Sequence, residues 1–158
     1  MLLLWAGTAL ALGLLLYLAD RQAGGAMLLP RFLALHTGPL FGTFGPWLPS
    51  FIHPFAFSLL SSAALKHPWA SARAGYGLCA GWWLLNLVFE LGQHARFSAP
   101  LAEALQSGWG QNMLTTALSA YALQGHFDGA DVVALSAGSL AAAALLWRVQ
   151  VCEAAHES

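Results

Sequence analysis

Apolar residues run in four long stretches, and the breaks between them concentrate proline and charge. Residues 1–18 are an almost unbroken apolar run of about the length needed to span a hydrocarbon core. No Lys or Arg precedes the run and it is longer than a signal-peptide core, which favours a spanning helix over a cleaved leader. Further spans are expected at residues 50–65, 75–91 and 130–147. Between the first two, Gly24-Gly25, Pro30, Gly38-Pro39, Gly45-Pro46 and Pro49 read as loop chemistry, with an interfacial helical turn expected over residues 27–35 and Trp47 suited to headgroup depth. Ser50 is placed to cap the second helix, and Pro54 is tolerable if it lies in the first turn. Ser58, Ser61 and Ser62 make that helix polar enough to pack against others. Gly92 helps to end the third. Residues 98–108 read as a helix start followed by a break at Gly108-Trp109-Gly110. Residues 111–123 read as a helix too short to span, hence interfacial or re-entrant. Ala134, Gly138 and Ala142 offer the last span a small-residue face for close approach, and a short, more polar tail follows Arg148. The expected architecture is all-α: an integral membrane four-helix bundle with short interfacial or re-entrant helices, forming one membrane domain.

Composition agrees with this pattern. Of 158 residues, 58% are hydrophobic and only 8% charged, against roughly a quarter charged in an ordinary soluble domain. The formal net charge of −1 gives no reason to expect nucleic acid as a partner. Cys79 lies inside an apolar run and Cys152 in the tail, so no disulfide framework is expected.

Candidate chemistry centres on the third span. There Asn86, Glu90 and Gln93 fall at i, i+4 and i+7, a polar stripe on an otherwise apolar cylinder. Lipid cannot face that stripe, and a carboxylate inside an apolar helix needs a proton or a partner. With four spans, the end of the first helix, the start of the second, the end of the third and the start of the fourth share one membrane face. His53, Glu90, Gln93, His94, Asp128 and Asp131 then meet at one mouth, unless residues 111–123 form a fifth span. Each has a plainer role as well: Asp128 and Asp131 as caps of the last helix, Asn86 as an interhelical hydrogen bond, His53 as a hydrogen-bonded interfacial histidine. Together they allow acid–base chemistry on a lipid headgroup, with Glu90, His53 and Asp131 as the catalytic candidates and Gln93, Asp128, Asn86 and Arg96 as binding candidates. A divalent cation is the weaker alternative, since no strong metal-ligand spacing occurs, and haem would want facing histidines within the spans. No metal or cofactor is therefore expected. The runner-up is a non-enzymatic membrane scaffold or interaction protein whose polar residues lock the helices together.

A His opening the second span, Glu90-x-x-Gln93 closing the third and Phe127-Asp128-x-x-Asp131 leading into a last span with Gly138 resembles the VanZ-like family of small bacterial membrane proteins. The resemblance covers residues 53–138. It implies the fold and the marked positions more than a reaction, since these proteins are associated with low-level teicoplanin resistance and their biochemical activity is not established. The chain departs from the family in the long link between Gln93 and Asp128, where Arg96 takes the place of the family's Arg, and in having Leu135 and Ser136 where an Asn often follows the aspartate. A relative outside the resistance role is the expectation. Lys66, Arg73 and Arg148 on one face balance Arg21, Arg31 and Arg96 on the other, so the positive-inside rule is tied. The compact loop holding Lys66 and Arg73, together with the resemblance, points to a multi-pass protein of the bacterial inner membrane with cytoplasmic termini. The charged mouth then faces outward, toward an envelope lipid or a lipid-linked cell-wall precursor.

Overall fold

The computed structural model describes residues 1–19, 42–65, 72–110 and 112–156. The turn expected at residues 27–35 lies outside them. Among the described residues the chain is all-helical, with six α-helices and no strand: α1 (Leu2–Ala19), α2 (Leu48–Ala64), α3 (Ala72–Gly92), α4 (Ser98–Gly108), α5 (Met113–Gln124) and α6 (Gly129–His156). A single 3-10 turn, Gly42–Phe44, precedes α2.

One helix among the described residues is long and apolar enough to cross a membrane by length and composition, over Gly129–Cys152. Leu2–Leu16 is a shorter apolar helix. The helix α6 overruns the expected end near Arg148 by two turns, because no Gly or Pro interrupts residues 149–156 and a helix need not stop where its apolar stretch does.

Helix α2 is the hub of the fold, packing on α1, α3 and α6, while α3 also packs on α6. Its start differs from the expectation in two ways. The helix begins at Leu48, so Pro49 takes the tolerant N-terminal position and Pro54 sits in the interior, where it removes the α-helical bond to the Ser50 carbonyl. Ser50 is not the cap: Trp47 occupies that position without a side-chain hydrogen bond. Six buried residues, Leu2, Ala6, Leu59, Cys79, Ala142 and Leu146, join α1, α2, α3 and α6 into one apolar core. Gly138 lets α6 approach α2 closely, for a Cβ there would run into the Phe51 carbonyl.

The two short helices form an antiparallel hairpin. Gly110, at φ +70°, makes the turn that ends α4, a conformation for which glycine has no steric cost. Asn112 then caps α5 through a reciprocal pair, its side chain accepting from the Thr115 N–H at 2.9 Å while Thr115 Oγ1 accepts from the Asn112 N–H at 3.0 Å. Across the hairpin, Ser119 Oγ reaches the Ala102 carbonyl at 3.5 Å. At about 1.5 Å per residue, the twelve residues of α5 cover about 18 Å, well short of a hydrocarbon core. The hairpin therefore leaves α3 and returns the chain to the same end of the bundle, where α6 begins. Helix α3 ends at Gly92, which is not left-handed and leaves room for Leu101 of α4.

Candidate functional site

At that end, α2, α3, α5 and the start of α6 enclose a cavity of about 420 Å³. Each helix delivers its polar residues for a local reason. On α3 the stripe Asn86, Glu90 and Gln93 faces inward because the opposite side is apolar and exposed: Leu84 is 55% and Val88 57% accessible, whereas Glu90 is 8%. From α2 come Ser50 and His53, and from the first turns of α6 come Asp131 and Leu135. Tyr121, Gln124 and Gly125 at the end of α5 close one side.

The structure thus brings five of the seven candidates, His53, Asn86, Glu90, Gln93 and Asp131, to one cavity. Glu90 Oε1 accepts the backbone N–H of Asp128 at 3.0 Å, which ties the end of α3 to the loop entering α6. Among the described residues its second oxygen carries no hydrogen bond. Asp131 Oδ1 accepts from the Ser50 hydroxyl at 2.6 Å, so the serine expected to cap α2 joins α2 to α6 instead. Among the described residues Asn86 does not bond across helices: its Nδ2 donates to the Trp82 carbonyl one turn back on the same helix at 2.8 Å, and the residue lines the cavity. The Gln93 amide fills the space that a side chain at Gly125 would need, and this contact fixes where α5 hands over to α6. The His53 ring lies 6.2 Å from that of Phe57.

The other two candidates stand aside. Asp128 is exposed and its Oδ1 accepts the Ala130 N–H at 2.9 Å, capping α6. Arg96 is exposed in the turn after α3 and does not line the cavity; its backbone N–H donates to His94 Nδ1 at 3.1 Å. His94, expected at the mouth, packs its ring on Phe127 and Phe97 at centroid distances of 5.2 and 5.8 Å and so organises the turn.

Several lining residues were not anticipated. Phe89 lies off the polar stripe of α3, and Tyr121 and Gln124 belong to the helix read as interfacial or re-entrant. Phe89 and Tyr121 meet edge to face at 5.7 Å and join α3 to α5. The one signal in the sequence was the i, i+3 spacing of Tyr121 and Gln124, which puts both on one face of α5. On the neighbouring side of the α2–α6 contact lies an apolar groove of about 480 Å³, lined by Phe44, Trp47, Leu48, Phe51, Ala130, Val133, Ala134 and Ala137.

Among the described residues, no group of three or more His, Cys, Asp or Glu side chains is arranged to hold a metal ion. Two of the lining side chains are carboxylates and the other polar ones are hydroxyls, amides and an imidazole that donate as well as accept, so the cavity suits hydrogen bonding and proton exchange more than nucleophilic attack. No family model, no curated protein and no solved structure matches this chain.

Proposed function

We propose that this chain is a multi-pass membrane protein whose cavity binds the polar head of an envelope lipid or lipid-linked precursor. In this reading α1, α2, α3 and α6 cross the bilayer, and the α4–α5 hairpin lies at the interface beside the cavity. The observation that carries the reading is a polar cavity inside helices whose outer faces are apolar, with Val133 70% and Leu140 71% accessible on α6 as on α3. Such a distribution is inside out for a protein in water and natural for one in lipid. The apolar groove beside the cavity suits the chain of an amphiphile. Four spans put both termini on the side away from the cavity, cytoplasmic if the loop holding Lys66 and Arg73 is retained inside. Of the residues that resemble VanZ-like proteins, His53, Glu90, Gln93 and Asp131 support the reading by lining this cavity, while Asp128 caps α6 outside it.

A second reading rests on the two interhelical bonds: Glu90 to the Asp128 N–H and Ser50 to Asp131 are what a purely structural lock would make. Two measurements separate them. In a background with Cys79→Ala and Cys152→Ser, Ala95→Cys and His126→Cys are labelled with a membrane-impermeant thiol reagent. Both react from the outer side if the four spans are right, and labelling from opposite sides defeats the topology. Gly125 is unsuitable for this purpose because Gln93 occupies its side-chain space. Native mass spectrometry of the full chain in mild detergent then shows a retained lipid that Glu90→Gln releases. A correct topology with no retained lipid leaves the lock.

A further inference from the structure

Resting on the reading of this cavity as a head-group site, we infer that the group it recognises is an organic ammonium, a protonated primary amine, rather than a phosphate or a glycan. The fixed charge of the wall is one-sided, coming from Glu90 and Asp131, set among side chains such as Gln93, Gln124 and Tyr121 that donate as well as accept. Glu90 is more than nine-tenths buried, lines the cavity and has one carboxylate oxygen without a hydrogen bond among the described residues. Asp131 accepts from Ser50 through Oδ1 alone, and Asn86 spends one of its two amide N–H groups on Trp82 and keeps its side-chain oxygen, so each has acceptor capacity left at the same cavity. Two carboxylates and an amide oxygen match the three N–H donors of an ammonium. They would repel a phosphate, and no Lys or Arg is among the described residues lining the cavity.

Two further features agree. Phe89 and Tyr121 add an aromatic wall, and ring faces attract a cation. The volume, about 420 Å³, lies at the small end of ligand sites, enough for an aminoalcohol head but tight for a lipid-linked disaccharide. A quaternary ammonium satisfies the rings and leaves the carboxylates without donors, so a primary amine is preferred over choline. That amine can come from a phosphoethanolamine lipid head or from a free amine.

The test is isothermal titration of the detergent-solubilised full chain with ethanolamine, choline and inorganic phosphate, repeated in nanodiscs containing phosphatidylethanolamine or phosphatidylglycerol. Ethanolamine binds, choline binds more weakly and phosphate does not bind. Glu90→Gln weakens ethanolamine by about tenfold or more, as expected for losing a charge-assisted hydrogen bond. Gln124→Lys leaves Glu90 in place and brings a tethered ammonium to the cavity wall; it weakens ethanolamine comparably and serves if Glu90→Gln misfolds. Competition by phosphatidylethanolamine nanodiscs assigns the amine to the lipid, and its absence assigns it to a soluble amine. Glu90-dependent binding of phosphate or phosphatidylglycerol without ethanolamine overturns the ammonium and keeps the head-group site. Binding of none of these probes overturns both.

Discussion

The same helices are packed on opposite principles at their two ends. Away from the cavity, Leu2, Ala6, Leu59, Cys79, Ala142 and Leu146 close into a dry core, where small side chains on α1 and α6 let the helices meet. At the other end, α2, α3 and α6 meet polar residues and leave about 420 Å³ between them. The apolar end is not free of polar groups, for Ser58 is fully buried beside Cys79, and single hydrogen bonds join the helices elsewhere, Trp82 Nε1 to Ser61 Oγ at 2.9 Å and Trp83 Nε1 to Ser136 Oγ at 3.0 Å. The dry end holds the bundle together. The polar end is tied by few bonds, Glu90 to the Asp128 N–H and Ser50 to Asp131.

Substitutions at the two ends therefore have different signatures. The largest loss of stability is expected at the dry end, where Leu59 is fully buried. Leu59→Ala lowers unfolding stability by about 2 kcal/mol in a detergent titration, the bottom of the usual range for a buried leucine. A loss below that of the polar-end variants would break the contrast. Gly138→Ala comes next. It gains about 1 kcal/mol in helix propensity but must push away the Phe51 carbonyl, and overpacking of this kind costs about 1–3 kcal/mol, giving a net loss of about 1 kcal/mol. An increase in thermal stability would show that α2 and α6 are not held so close.

Smaller effects belong to the polar end. Asp128→Ala removes the cap of α6 and costs about 1 kcal/mol, while ligand affinity is unchanged because the side chain is spent on the Ala130 N–H outside the cavity. Lost affinity with intact stability would move Asp128 into the site. Glu90→Gln keeps an acceptor for the Asp128 N–H, and its stability stays within about 1 kcal/mol of the parent by circular-dichroism melting. A larger loss would make Glu90 part of the lock and erase the distinction between the two ends.

How much of the site was legible follows from what each residue needs to declare itself. Asn86, Glu90 and Gln93 are readable because a helical period is a property of the sequence, and a polar stripe on an apolar helix has to face inward. Asp128 as a cap is equally local. By contrast Ser50 looked like a cap and is a tie to Asp131, 81 residues away, because where α2 starts depends on Pro49 taking its tolerant position. Phe89 and Gly125 could not be found from spacing on one helix, since each matters through a contact with another element, and the spacing of Tyr121 and Gln124 shows that they share a face of α5 without showing what that face meets.

The sequence alone determined that the chain is helical, where most helices begin and end, and which face of α3 is polar, because these follow from local backbone preference and from periodicity. Only the tertiary structure decided that the α4–α5 hairpin returns the chain to its starting end, that His94 and Arg96 stand outside the cavity, and that a cavity exists. Those outcomes depend on the volumes left between helices, and volume is a property of packed neighbours rather than of any one segment.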